Sequence, residues 1–151
     1  EDVRKGYSMN LSDMINESPG TLMRILNYPA LKGSEQPNAI RAAAHEDINL
    51  LTCLVASTEP GLQVQDVKGN WHDVDCDPGN IAVNVGDMLE MCSGNYFPST
   101  THRVVNPVGS DTKKARMSIP LFLHPRADVV LSDKHTAGSF LTERLQELGL
   151  K

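Results

Sequence analysis

In the stretch AAAHEDINLLT, His45 and Asp47 stand two residues apart at the mouth of an apolar segment. If the backbone is extended there, both side chains point to one face. His102, in STTHRVVNP, also sits at the start of a strand-like run. Two imidazoles and one carboxylate brought together from neighbouring strands suit a borderline divalent metal, and that set leaves three positions open on Fe(II). On its own the His-x-Asp spacing is a weak signal, because a chain with 5 His and 19 Asp plus Glu produces such triplets by chance. A second group strengthens it. Arg116 and Ser118 alternate at the root of the late strand RMSIPLFL and so share a face. A buried guanidinium there needs an anion, which it can grip through two parallel hydrogen bonds with the serine hydroxyl adding a third. Tyr28, just before Pro29, can offer a phenolic donor to the same anion; the plainer alternative for the residues taken singly is that Arg116 pairs with a surface Asp or Glu and Tyr28 packs in the core.

The elements that must position these residues are short and numerous. From His45 onward INLLTCLVA, GLQVQDV, NWHDVD, NIAVNVG, DMLEMCS, THRVVNPV and RMSIPLFLHP read as strand-length segments separated by Gly and Pro turn signals. The early run TLMRILNY reads as one strand from Thr21 to Tyr28, and the polar stretch from Ala30 to Ala44 as a surface loop. Leu11, Met14 and Ile15 have helical spacing, with Ser12 as a possible cap, and Phe140, Leu141, Leu145 and Leu148 repeat helically before Gly149. The expected architecture is mainly β, an antiparallel sandwich or barrel with a helix at each end.

Composition narrows the function classes. The chain has 151 residues, 40% of them apolar, which is the size of one domain. Lys plus Arg number 14 against 19 acids, for a net charge of -5, and no basic run with interleaved aromatics appears, so no nucleic-acid partner is expected. No apolar stretch is long enough to span a bilayer, and the start EDVRKGYSMN lacks a secretory profile, so no membrane partner and a cytoplasmic location are expected. Cys53, Cys76 and Cys92 are odd in number and widely spread, which favours reduced, mostly buried thiols. His72, His124 and His135 are read as solvent-facing or structural, and Met88, Met91 and Met117 as core filler on strands. Asn95, Phe97 and Phe122 are candidates to line a pocket near the metal.

The order Tyr28-Pro29, His45-x-Asp47, the run GLQVQDVKGNWHDVDCDPGNIAVNVGDMLEM, His102-Arg103-Val104 and Arg116-x-Ser118-x-Pro120 resembles the isopenicillin N synthase-like branch of the Fe(II)/2-oxoglutarate dioxygenases, from about Leu22 to Pro125. The resemblance implies a double-stranded β-helix, or jelly roll, with His45, Asp47 and His102 as metal ligands. It also implies that Arg116, Ser118 and Tyr28 contact 2-oxoglutarate. Cofactors would be Fe(II) and 2-oxoglutarate, with ascorbate as a candidate reductant, and the partners a small-molecule substrate and molecular oxygen. The expected reaction is hydroxylation, desaturation or ring closure with release of succinate and carbon dioxide. Leu62, Trp71, Gly79, Gly86 and Asp87 match scaffold positions. Family members are usually considerably longer, so residues 1–151 would be the C-terminal catalytic domain without the usual N-terminal part. The family's usual Ser-Asn-Gly reads Ser93-Gly94-Asn95 here. Two alternatives stay open: an oxidase that holds its substrate's own carboxylate on Arg116 and Ser118, and a catalytically idle jelly-roll binding module.

Overall fold

The computed structural model describes residues 7–75 and 77–150, so Cys76 and most of the EDVRKGYSMN start lie outside the described residues. The chain opens with helix α1 (Leu11–Ile15), builds ten short strands with helix α2 (Asp87–Cys92) between the seventh and eighth, and closes with helix α3 (Ala137–Glu147). The strands are β1 (Leu22–Met23), β2 (Leu26–Tyr28), β3 (Ala42–His45), β4 (Leu51–Val55), β5 (Leu62–Gln65), β6 (Trp71–Asp73), β7 (Ile81–Val85), β8 (His102–Val104), β9 (Arg116–Ser118) and β10 (Pro120–Leu123). They form two four-stranded sheets, β1-β10-β4-β7 and β3-β8-β5-β6, and a pair, β2-β9. Every pairing between them is antiparallel. This is the expected mainly β jelly roll with flanking helices.

Several local expectations change. The early strand and the late RMSIPLFL strand are each split in two. One register nevertheless runs through both halves, from Leu22↔Phe122 and Met23↔Leu121 to Leu26↔Ser118 and Tyr28↔Arg116. The interruption falls where Pro120 has no N–H to donate, although its carbonyl still accepts from the Arg24 amide. DMLEMCS is a helix and not a strand: Met88, Leu89 and Cys92 fall on one helical face and are all buried. The first helix is capped by no side chain; its N-cap is Asn10, and Ser12 lies inside. The surface loop likewise ends earlier than expected, since Ala42 already belongs to β3.

The dense apolar core lies where the helices meet, and consists of Met14, Leu50, Met88, Leu89, Cys92, Val129, Leu131 and Ala137, with Phe140 and Leu141 of α3 against it. Met88 is therefore the expected filler, Met91 packs beside it, and Met117 is 42% exposed because its neighbours Arg116 and Ser118 take the inward face of β9. Of the described cysteines, Cys92 is buried and Cys53 half-buried, both free. Between the sheets the molecule is not filled by side chains. It holds a cavity of about 380 Å³, with walls drawn from both four-stranded sheets and from the β2-β9 pair.

Candidate metal and carboxylate site

His45 ends β3 directly across from His102 on β8, with ring centroids 4.3 Å apart. Each ring has its Nδ1 against a carbonyl two residues earlier, Ala43 O at 2.7 Å and Thr100 O at 2.9 Å. A carbonyl can only accept, so each Nδ1 donates and Nε2 is the ring atom left for a metal. Asp47 follows the strand and is buried. Its Oδ2 accepts from Thr52 Oγ1 at 2.6 Å on β4 and from Asn84 Nδ2 at 2.9 Å on β7. Thr52 and Asn84 are themselves cross-strand partners. Asp47 Oδ1 is left facing His102 Nε2 at 3.8 Å. The potential ligand atoms of His45, Asp47 and His102 all lie within 4.8 Å of one another. Two imidazole nitrogens and one carboxylate oxygen at this spacing are a donor set that fits a divalent iron.

The backbone of the Asp47 loop is held by α2. The amide of Asp87 donates to Asp47 O at 2.8 Å, that of Met88 to Asn49 O at 3.2 Å, and that of Gly86 to Leu50 O at 3.1 Å. These are amides that a helix start leaves without intrahelical partners. Gly86 is required by space: a Cβ there would lie 2.2 Å from Asn49 O and 2.8 Å from Asp47 O.

A cationic end faces the same cavity. Arg116 is 1% exposed and Ser118 5%. Arg116 Nε donates to Glu59 O at 2.9 Å and Nη2 to Ser57 Oγ at 2.8 Å, while Ser57 Oγ lies 3.5 Å from Ser118 Oγ. Tyr28 is the cross-strand neighbour of Arg116, and the guanidinium carbon sits 5.6 Å from its ring centre. Tyr28, His45, Asp47, His102, Arg116 and Ser118 thus all line one cavity.

Phe122 and Leu62 also line it, whereas Asn95 and Phe97 do not. Asn95 instead ends α2: its amide bonds Glu90 O while that of Gly94 bonds Met91 O, and both residues have positive φ, 65° and 62°. The remaining histidines lie elsewhere. His72 pairs with Asp66 at 2.9 Å, and that contact holds the carboxyl far below its usual range. His135 lies 3.7 Å from Glu143 and edge-on to Phe140. His124 is half-buried, and burial pushes its imidazole below the ordinary value. Trp71 carries the Arg103 guanidinium on its face at 4.0 Å, and Gly79 adopts the turn conformation expected of it. Sequence reasoning passed over Thr52, Asn84, Asn49 and Ser57. The available signal was a polar residue at the inward position of an otherwise apolar strand, as in LTCLV and IAVNV.

Residues 20–125 match the family model of the 2OG-Fe(II) oxygenase superfamily. The chain belongs to that superfamily. Among curated relatives, a homoarginine-6-hydroxylase of Glycine max is 30% identical over 146 residues, covering 89% of this chain and 43% of its own. A flavonol synthase/flavanone 3-hydroxylase of Eustoma exaltatum is 36% identical, covering 71% of this chain and 30% of its own. Among solved structures, a candidate oxygenase from Shewanella oneidensis superposes with a TM-score of 0.90 at 55% identity, over all of this chain and 55% of that one. A Neurospora crassa protein crystallised in complex with alpha-KG superposes with a TM-score of 0.78 at 27% identity, covering 89% of this chain and 47% of that one. The chain therefore spans less than half the length of the curated relatives it matches. Among the described residues no helix is long and apolar enough to cross a membrane.

Proposed function

We propose that residues 1–151 form the catalytic domain of an Fe(II)- and 2-oxoglutarate-dependent dioxygenase of the isopenicillin N synthase-like branch, acting in the cytoplasm on a small organic molecule. The observation that carries this reading is one cavity with a two-His, one-carboxylate cluster and the buried Arg116–Ser118 pair in its walls. His45 Nε2, His102 Nε2 and Asp47 Oδ1 would hold the iron. Arg116 and Ser118, with Tyr28 beside them, would take the far carboxylate of the cosubstrate and set its distance from the metal. When bound, iron and 2-oxoglutarate would supply the oxidising power, the cosubstrate giving two electrons to O₂ as it becomes succinate and carbon dioxide and the substrate giving two more by hydroxylation, desaturation or ring closure.

The chain's own part is orientation and exclusion. Thr52 and Asn84 fix the Asp47 carboxylate, and the two backbone carbonyls fix the imidazoles. Leu26, Leu54, Val64 and Phe122 keep the cavity wall apolar, so bulk water is kept from the reacting atoms. The anaerobic Fe(II)–2-oxoglutarate charge-transfer absorption tests the assignment without knowledge of the substrate. Arg116→Lys should weaken the titration and Arg116→Ala should weaken it further, by about ten- to a hundredfold, from loss of charge-assisted hydrogen bonds. If the unaltered chain gives no band at saturating 2-oxoglutarate, or Arg116→Ala titrates identically, the cosubstrate role fails and the oxidase reading replaces it.

A further inference from the structure

The link between β4 and β5, residues 56–61, clasps β9 through three residues in succession. Thr58 bonds the backbone of Met117, the residue between the two cavity-facing side chains: its amide donates to Met117 O at 3.2 Å and its hydroxyl accepts from the Met117 amide at 2.8 Å. On either side of it, Ser57 Oγ accepts from Arg116 Nη2 at 2.8 Å and Glu59 O from Arg116 Nε at 2.9 Å. The Glu59 carboxylate is tied in turn to Lys114 Nζ at 3.6 Å.

Nε and Nη2 lie along one edge of the guanidinium plane. Two acceptors on that edge, delivered by a single segment, fix both the depth of the group and the turn of its plane, whereas one acceptor alone would let it pivot. Glu59 contributes a backbone carbonyl and Ser57 a side chain, so substitution can remove the second acceptor and spare the first. Ser57 Oγ also stands 3.5 Å from Ser118 Oγ, which brings one hydroxyl to both members of the Arg-x-Ser pair. Ser57 lines not the main cavity but a small hollow of about 20 Å³ beside it, room for one water and a place into which an unclasped guanidinium can withdraw.

We propose that Ser57 is a positioning residue: it holds the Arg116 guanidinium at one depth and so selects the 2-oxo acid by chain length. The proposal rests on the assignment of Arg116 to the far carboxylate of the cosubstrate. The full chain is loaded anaerobically with Fe(II), and the charge-transfer absorption is titrated with three acids. These are 2-oxoglutarate; 2-oxoadipate, one methylene longer; and 2-oxopentanoate, in which a methyl replaces the far carboxylate. The unaltered chain should favour 2-oxoglutarate over 2-oxoadipate. Ser57→Ala should narrow that preference by about two- to tenfold, the cost of ordering one long side chain. Ser57→Thr, which keeps the hydroxyl, should retain the preference, and 2-oxopentanoate should titrate alike in all three chains, as should Fe(II) itself by calorimetry. No preference in the unaltered chain, an unchanged preference in Ser57→Ala, an equal loss for all three acids, or a narrowing in Ser57→Thr as large as in Ser57→Ala would each overturn the role of Ser57 and leave the Arg116 assignment standing. Absence of the band in the unaltered chain would overturn both.

Discussion

Replacing Thr52 by valine keeps the shape of a buried side chain and removes one oxygen. That oxygen donates to Asp47 Oδ2 at 2.6 Å and accepts from Asn49 Nδ2 at 3.0 Å. Asn49 retains Leu51 O at 2.9 Å, so the damage concentrates on the carboxylate. A hydrogen bond to a charged group contributes about 1.5–3 kcal/mol, and loss of an outer partner of a metal ligand typically weakens metal binding about 10- to 100-fold. Thr52→Val should therefore bind Fe(II) more weakly by about that factor, with the jelly roll intact. Asn84→Ala should act similarly, because Asn84 bonds the same Oδ2 from a different strand at 2.9 Å. One bond fixes a distance; two bonds from two strands fix the rotation of the carboxylate about Cβ–Cγ. Once either is lost the carboxylate can turn, so the double variant should cost less than the sum of the singles, with a coupling of about 0.5–3 kcal/mol. Anaerobic calorimetric titration with Fe(II) gives the affinities, and circular dichroism with urea unfolding checks the fold. Thr101→Val is the control: its hydroxyl bonds Glu46 at 2.6 Å in an exposed contact, and its removal should leave iron affinity unchanged. If Thr52→Val and Asn84→Ala both bind Fe(II) as the unaltered chain does, the carboxylate needs no clamp and this account of the site is wrong.

Gly86→Ala should displace the Asp47–Asn49 loop by about 1 Å to relieve a 2.2 Å contact, lowering stability by about 1–3 kcal/mol and weakening iron binding in the same variant; thermal unfolding and metal titration read the two effects. Burial pushes the Cys92 thiol up to about 11, so in a Cys76→Ser background an alkylating reagent at mildly alkaline pH should modify Cys53 well before Cys92, as peptide mass mapping would show; equal rates would contradict the packing of α2. His124 is neutral more readily in the fold than its ordinary value of 6.5 allows. The unfolded chain then binds the extra proton first, so stability is lost as pH falls through that ordinary value and on through the lowered one. Urea midpoints from about pH 7 to about pH 5 should fall more steeply for the unaltered chain than for His124→Gln.

The three potential ligands and the Arg-x-Ser pair were legible because each rests on a short-range rule: alternation along a strand puts residues i and i+2 on one face, and a polar pair at the root of an apolar run has to be explained. The segment DMLEMCS departs from its expected form for a related reason. Its apolar positions Met88, Leu89, Met91 and Cys92 satisfy either period over so few residues, and the deciding fact is long-range: the Asp47 loop presents carbonyls that the first amides of a helix can satisfy. Thr52 and Asn84 stayed hidden because their role exists only across strands, in a register that composition does not state. The split at Pro120 was visible as a missing donor, but its reach into two sheets was not.

The turn after α2 bears on how the protein ages. Asparagine followed by glycine is chemically fragile, because the next backbone nitrogen can swing onto the side-chain amide and close a succinimide, with loss of ammonia. The turn needs two consecutive residues with positive φ, and Gly94 and Asn95 meet that need at 62° and 65°. Glycine tolerates such a φ freely and asparagine more readily than most residues. With glycine placed first, the asparagine is followed by Tyr96, whose side chain hinders the attack that a glycine would permit. The chain keeps the backbone path that ends the helix and removes from it the dipeptide most prone to spontaneous deamidation.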